Sequence, residues 1–456
     1  MHYKFLRLSI TAISILLFIV SCTPSRRSSS RNDSKKAQTE LAESEDEESV
    51  SEKRSTKTSY HPLELKFYLE RSGSMVGFDD NASKGEFKET VADLLNRFPI
   101  SEENDSNALF IVNNNVYAFD GTIRNFISER DLFAATKNIG DPSYTDFYKI
   151  FEMIMANEQQ YSVSILVSDL IYSVKGQEDV NPKKLMNEAK SLTGNIFKDH
   201  SSGGVWVIKF MADYGGKYYP YNSPSRGIEY MGDRPYYAMV FTSRIGVETL
   251  CNDSKYANFY HFSTLPGYQD MFFFTSERFQ PDYSVIQRGF GKQGEFRRDK
   301  TEHGPIHTLQ DVHITRDELA IPVAVDLSSV PMSESYKLDL ANYEVVSQSG
   351  FEIEKIEIIN NTEDKSVREL CPNATHVILL NTDEKVKKES IKINLKYKFP
   401  RWISQSSTDD DTDINDSNFS RTTFAFESMM QGIFNAYTSN NPSQLLFSLT
   451  ININPK

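Results

Sequence analysis

The sequence predicts two folded domains: a doubly wound α/β domain, then an all-β, sandwich-like domain with one late helix. In the first half, strand patterns alternate with helical patterns, which is typical of a sheet with helices on both faces. In the second half, short runs of period-two alternation are separated by turn residues, which is typical of an antiparallel sandwich. A charged segment with few apolar residues precedes both halves.

The α/β domain is predicted to span residues 61–265. Its apolar residues recur with helical spacing or form short strand-like runs. The predicted strands are 63–69, 108–112, 116–119, 163–167, 205–211 and 236–242, and the predicted helices are 87–98, 147–155 and 185–197. The tyrosine-containing segment 214–230 is predicted to be an exposed surface loop. We expect the aromatic residues that are dense between 259 and 283 to form the junction between the two domains.

The sandwich-like domain is predicted to span residues 266–456. Its predicted strands are 313–314, 320–327, 336–340, 351–359, 376–380, 391–397 and 445–453, and its late helix is 424–437. The aspartate-rich segment 409–416 resembles a calcium loop, but it lacks the glycine and the closing glutamate that the twelve-residue loop requires. We therefore expect a solvated acidic loop there.

The N-terminus carries an export signal. Lys4 and Arg7 precede an apolar run over residues 8–20 that is too short for a stable membrane span. The run ends in Ile-Val-Ser-Cys at residues 19–22, which resembles the lipobox of bacterial lipoproteins. That resemblance implies a signal peptide over residues 1–21 and acylation of Cys22. The alternative is an ordinary cleaved signal, or an N-terminal anchor, with a chance cysteine.

Residues 22–60 are predicted to form a disordered, charged linker after the lipidated cysteine. A basic part precedes an acidic part, and so polar a segment buries too little surface to offset its ordering entropy. The residue after Cys22 is Thr23, and by resemblance to lipoproteins a residue other than Asp there implies the outer membrane. The periplasmic and surface faces both remain open. The lipid anchor is the expected contact with the membrane.

The composition limits the partners. The formal charge is −13, which argues against nucleic acid and anionic lipid surfaces as partners. Beyond Cys22, the cysteines are Cys251 and Cys371. A disulfide between them is permitted outside the cytoplasm, but they are far apart in sequence, and two separate buried thiols are favoured.

The end of the first predicted strand carries the first part of a candidate site. Residues 67–75 read Phe-Tyr-Leu-Glu-Arg-Ser-Gly-Ser-Met. This resembles the opening of a von Willebrand factor type A domain, where a strand runs into Asp-x-Ser-x-Ser. Glu70 stands where that family has Asp, whereas Ser72 and Ser74 match.

Two further segments match the same family in order. Thr145 lies in Pro-Ser-Tyr-Thr-Asp just before a predicted helix, and Asp169 follows the central strand in Leu-Val-Ser-Asp. Leu170 stands where the family usually has Gly. Ligands of doubly wound sheets collect beyond the carboxyl ends of the strands. Hydroxyl and carboxylate oxygens presented there suit Mg²⁺.

The resemblance implies a metal site formed by Glu70, Ser72, Ser74, Thr145 and Asp169. The expected metal is Mg²⁺, with Mn²⁺ or Ca²⁺ as alternatives. The expected function is non-enzymatic binding of a protein or cell-envelope partner, in adhesion or scaffolding, through a carboxylate that the metal accepts. Glu70 is one methylene longer than Asp, so it either binds the ion directly or spoils the geometry. The alternatives are a structural envelope protein with a degenerate metal site and a hydrolase that uses Ser74 and a histidine. The serines and Thr145 also suit helix capping and turns.

Overall fold

The structure is a computed structural model that describes residues 62–79, 83–99, 108–173, 180–199, 203–223, 225–256, 259–359 and 364–456. The predicted signal peptide, Cys22 and the linker to residue 60 lie outside these ranges. The chain from Tyr60 to Lys456 forms one compact unit. It is mixed α/β with several sheets. Among the described residues, no helix has both the length and the apolar character needed to span a membrane.

The strands are numbered along the chain. They are β1 (Glu64–Glu70), β2 (Leu109–Val112), β3 (Val116–Ala118), β4 (Ser162–Ser168), β5 (Gly204–Tyr218), β6 (Ile228–Thr242), β7 (Tyr268–Thr275), β8 (Tyr283–Val285), β9 (Glu295–Arg298), β10 (Thr308–His313), β11 (Leu319–Val325), β12 (Tyr343–Val346), β13 (Glu352–Ile358), β14 (His376–Thr382), β15 (Glu389–Lys396), β16 (Ser407–Thr408), β17 (Thr423–Phe424) and β18 (Leu445–Pro455).

The helices are α1 (Glu86–Asn96), α2 (Ile123–Ile127), α3 (Leu132–Ala135), α4 (Phe147–Ala156), α5 (Pro182–Asp199), α6 (Arg244–Asn252), α7 (Glu334–Leu338), α8 (Lys365–Leu370), α9 (Arg401–Gln405) and α10 (Phe426–Ser439). Short 3-10 helices lie at Met75–Phe78, Ser254–Tyr256, Phe262–Thr264, Leu340–Asn342 and Phe419–Arg421.

A seven-stranded sheet in the order β3-β2-β1-β4-β6-β5-β7 organises the first half. Strand β1 pairs in parallel with β2 and β4, whereas β3 and β6 are antiparallel to their neighbours. All seven residues of β4 are buried, as expected for a strand covered on both faces. Because β1 and β4 run side by side in the same direction, their carboxyl ends meet at one edge of the sheet.

The helices that flank this sheet bury one apolar stripe each. Helix α4 buries five apolar residues at helical spacing, and the side chain of Asp146 caps it by accepting a hydrogen bond from the amide of Lys149. Helix α1 buries a similar stripe that begins at Phe87. These elements match the sequence predictions to within one or two residues, because strong periodicity and a side-chain cap both act locally.

The predicted exposed loop at 214–230 is wrong. Strands β5 and β6 are both fifteen residues long and pair over their whole length, from Gly204 opposite Thr242 to Tyr218 opposite Ile228. Tyr214 and Tyr218 are buried. The extension of this hairpin beyond the predicted strands is held by ring packing with distant residues, such as that of Tyr218 against Phe419.

The second half contributes a five-stranded sheet, β12-β15-β18-β10-β9, a four-stranded sheet, β13-β14-β11-β8, and the pair β16-β17. The predicted strand 336–340 is wrong, since helix α7 covers most of it. Ser333 accepts a hydrogen bond from the amide of Tyr336 and caps this helix. A local cap therefore overrides the alternation of apolar residues.

The two halves meet along aromatic side chains. Strand β7 belongs to the seven-stranded sheet although the predicted domain boundary falls just before it, after residue 265. The ring of Phe272 on β7 packs against Tyr336, Tyr397 and Phe434 of the second half. Both cysteines beyond Cys22 are free, which confirms the prediction of separate thiols, and Cys371 is buried whereas Cys251 is half-buried.

Candidate metal-binding site

The parallel pair β1 and β4 brings the predicted site residues together. Leu69 lies opposite Val167, so Glu70 at the end of β1 comes beside Ser168 and Asp169 at the end of β4. Two more loops reach the same edge, the 72–74 segment after β1 and the segment before α4. All five predicted residues line one cavity of about 380 Å³. They are Glu70, Ser72, Ser74, Thr145 and Asp169.

The two serines and Asp169 form one hydrogen-bonded group. Ser74 Oγ donates to Asp169 Oδ2 at 2.5 Å, and it lies 3.1 Å from Ser72 Oγ. Ser72 Oγ also accepts a 3.4 Å hydrogen bond from the amide of Met75, three residues further along the chain, and so stabilises the turn that leads into the 3-10 helix. Ser72 therefore combines a hydrogen bond within this turn with a position in the cavity.

Glu70 uses both of its carboxylate oxygens. Thr145 donates its hydroxyl hydrogen to Oε1, and Ser168 donates to Oε2. The side chain of Glu70 is only 1% exposed. Its extra methylene, relative to Asp, thus lets the carboxylate bridge the hydroxyl group of the loop before α4 and that at the end of β4.

The backbone after Asp169 adopts an uncommon conformation. Leu170 has a φ of 53°, in the left-handed region that favours glycine. Asp169 Oδ1 accepts a 3.1 Å hydrogen bond from the amide of Ile171, which closes this turn. A non-glycine residue in such a conformation costs roughly 1–2 kcal/mol. Leu170 therefore differs in residue type from the Gly that is usual at this position in von Willebrand type A domains. Its backbone nevertheless adopts a conformation that glycine favours.

The electrostatics of the site are dominated by two buried carboxylates. Burial raises the pKa of Glu70, and the charge of Asp169 raises it further, against the hydrogen bonds from Ser168 and Thr145. Burial also raises the pKa of Asp169, against the hydrogen bond from Ser74 and the charge of Arg234. Among the described residues, neither carboxylate forms an ion pair. Ionisation of both carboxyl groups together is therefore unfavourable unless a cation lies beside them.

Sequence reasoning missed two residues of the site, one that hydrogen-bonds Glu70 and one that lines the cavity. Ser168 directly precedes Asp169, and its place at the strand end was a signal that could have identified it. Tyr219 follows β5 and lines the cavity. A Cβ atom at Gly73 would lie 2.8 Å from the Tyr219 ring, so glycine permits this close approach. No local pattern could have identified Tyr219, because the β5–β6 hairpin brings it over the site.

The donor set fits a small divalent cation. Two carboxylates and three hydroxyl groups are hard oxygen ligands of the kind that Mg²⁺ takes, usually with waters. Within the described part of the chain, no group of three or more His, Cys, Asp or Glu side chains is arranged for a metal. A metal here would thus depend on hydroxyl ligands. A cation beside Glu70 and Asp169 would offset the charge that makes their ionisation unfavourable.

Comparison of the chain with protein-family models, curated proteins and solved structures found no match.

Proposed function

We propose that this chain is a cell-envelope lipoprotein, anchored through Cys22, that binds a protein or envelope partner through a metal-dependent face. The face consists of Glu70, Ser72, Ser74, Thr145 and Asp169, on a doubly wound domain like those of von Willebrand type A. The bound metal supplies an electrophilic cation that accepts a carboxylate of the partner. The proposed localisation is the outer membrane.

One observation carries this proposal. Five oxygen-bearing side chains, predicted from three separate segments of sequence, line one cavity and are between 1% and 7% exposed. Burying two carboxylates without a cation is unfavourable. The position of the site supports the same interpretation. It lies at the carboxyl ends of parallel strands, where doubly wound sheets bind their ligands.

Calorimetric titration of residues 60–456 with Mg²⁺ and Mn²⁺ tests the metal. We expect binding by the unchanged protein and its loss in Asp169→Asn, which removes one charge with little change of shape. Asp146→Asn is the matched control, because Asp146 lies outside the cavity lining and Asn also caps helices well. Absence of Mg²⁺ and Mn²⁺ binding up to about 10 mM, or equal binding by Asp169→Asn, would refute the metal-dependent proposal.

A pull-down from envelope extract, with and without a chelator, tests the partner. We expect a partner that is retained in Mg²⁺, released by the chelator and not retained by Asp169→Asn. Retention of the same partner under all three conditions would contradict the metal-dependent mode of binding.

A structural role without metal has one observation in its favour. Thr145 and Ser168 already donate to both oxygens of Glu70, so these hydrogen bonds join β1 to β4 and to the loop before α4 without a cation. On that interpretation the protein keeps its fold and its partner when Ser72 and Ser74 are both changed to Ala. The hydrolase alternative lacks such support, since no histidine is among the described residues that line the cavity. It would predict ester or phosphoester turnover that Ser74→Ala abolishes.

A further inference from the structure

A second cavity, of about 930 Å³, lies on another part of the molecule. Lys209 of β5, Gln269 and Asp270 of β7, and residues between 402 and 422 line it. It shares no lining residue with the candidate metal site. Its volume lies within the range of cavities that bind small molecules.

Lys209 is a buried cation at this cavity. It is 8% exposed, and its Nζ donates to Ser406 Oγ and to the carbonyl oxygen of Arg421, both at 2.8 Å. Burial and the positive charges of Arg421 and Arg234 lower the pKa of Lys209 to about 8, so it is mostly protonated at neutral pH. No carboxylate of the described residues forms an ion pair with it. A buried ammonium without a counter-ion is unfavourable, and an anionic group in the cavity would supply one.

Carboxylates line another part of the same cavity. They belong to the acidic loop, which we define as residues 409–416, and they are exposed. Their side chains are Asp409, Asp410, Asp413 and Asp416. The prediction of a solvated acidic loop therefore holds for these four residues, while Asp411 between them is buried.

Asp411 fixes the position of the acidic loop. Its Oδ2 accepts a 2.5 Å hydrogen bond from the hydroxyl of Tyr218, and its Oδ1 accepts one of 3.0 Å from the amide of Tyr221. Both tyrosines belong to the β5–β6 hairpin region. The loop is thus tied to the same hairpin that carries Lys209, so the cavity presents a cation and several carboxylates in a fixed arrangement.

We propose that this cavity binds a small zwitterion, an amino acid or short peptide whose carboxylate reaches Lys209 and whose ammonium group lies among the carboxylates of the acidic loop. Charge complementarity selects this class. A simple anion would be repelled by the aspartates of the lining, and a simple cation would leave the buried Lys209 without a counter-ion. The rest of the lining includes the ring of Trp402 and the charged side chains of Asp270 and Arg421. It also presents hydroxyl and amide groups that suit a peptide-like ligand, from Ser404, Ser407, Thr408, Gln269 and Asn418.

A series of ω-amino acids tests the proposal with the chain from Tyr60 to Lys456. The probes are glycine, 4-aminobutyrate and 6-aminohexanoate, with hexanoate and hexylamine as analogues that each lack one charge. Binding is measured by calorimetry or ligand-observed NMR. We expect at least one amino acid of the series to bind about tenfold more tightly than either analogue. No binding by any of them at about 10 mM, or equal binding by an analogue, would overturn the proposal.

Two variants assign the two ends of the ligand. Lys209→Met should weaken zwitterion binding about tenfold and leave hexylamine binding no weaker. The triple variant Asp410→Asn, Asp413→Asn, Asp416→Asn should weaken the binding of the zwitterion by a similar factor. Its affinity for hexanoate should be no lower than that of the unchanged protein. Asn can keep the turns in which each of these aspartates accepts a backbone amide through Oδ1. Undiminished zwitterion binding in either variant would refute the assignment of that end.

Discussion

Replacing Gly432 with Ala tests how closely helices α5 and α10 pack. A Cβ atom at position 432 would lie 2.0 Å from Thr193 Oγ1, 2.3 Å from the carbonyl oxygen of Lys190 and 2.9 Å from the amide nitrogen of Gly194. The last two atoms are backbone, so the helices must move apart to make room. Thr193 Oγ1, which donates to the carbonyl oxygen of Met429 at 2.8 Å, would be displaced as well.

The expected magnitude follows from opposing contributions. Overpacking destabilises by about 1–3 kcal/mol, and this contact belongs at the upper end because backbone atoms are involved. Loss of the Thr193–Met429 hydrogen bond adds about 1 kcal/mol. Ala is better than Gly inside a helix by about 0.5–1 kcal/mol, which acts in the other direction. We therefore expect Gly432→Ala to lower the free energy of unfolding by about 2–3 kcal/mol.

Gly194→Ala is the matched control on the facing helix. Its Cβ would meet its nearest neighbour, the carbonyl oxygen of Gly432, at an ordinary contact distance of 3.7 Å. We expect this variant to be more stable than the unchanged protein by about 0.5–1 kcal/mol. Urea unfolding, followed by the fluorescence of the buried Trp206, measures both changes. Equal midpoints for the unchanged protein and Gly432→Ala would refute the close packing of the two helices.

Two further predictions concern pH. Although burial acts to raise the pKa of Glu334, the hydrogen bond with His376 and the charge of Lys337 prevail and lower it to about 2. A depressed carboxyl pKa adds stability above its ordinary value of 4.5 that is lost as the pH falls toward 2. Between pH 4.5 and 2, the urea midpoint of Glu334→Gln should therefore fall less than that of the unchanged protein. Parallel plots of the two midpoints against pH would contradict this role of Glu334. Conversely, burial raises the pKa of Asp411 to about 6, against the hydrogen bond from Tyr218. Its ionisation therefore opposes folding, so the unchanged protein should lose about 2 kcal/mol relative to Asp411→Asn between pH 4 and 6. A pH-independent difference in unfolding free energy would refute this.

The sequence predicted the local elements of the first half well, and the reasons are physical. The apolar stripe of α4 and the side-chain cap of Asp146 act within a few residues of one another, so they can be recognised without knowledge of the fold. The same holds for β1 and β4, whose carboxyl ends carry the candidate site. The alternating apolar pattern at 336–340 led to a wrong prediction of a strand. The segment is mostly helical, and Ser333 caps this helix.

The two carboxylates of the candidate site could be placed together from the sequence because both lie at strand ends. Glu70 and Asp169 lie at the ends of neighbouring parallel strands, and parallel pairing alone brings them to one edge. The position of Tyr219 over Gly73 was not predictable, since it depends on how far the β5–β6 hairpin extends. The pairing of Glu70 with Thr145 and Ser168 likewise depends on side-chain positions that no spacing in the sequence specifies.

The sequence by itself determined the alternation of helices and strands, the acidic character of the chain and the segments that supply oxygen ligands. These properties depend on periodicity and composition, which are local or additive. Only the tertiary structure decided that Lys209 faces the acidic loop across one cavity and that Gly432 lies against Lys190. Such contacts join residues about 200 positions apart along the chain, and they depend on the packing of whole elements, which no local pattern encodes.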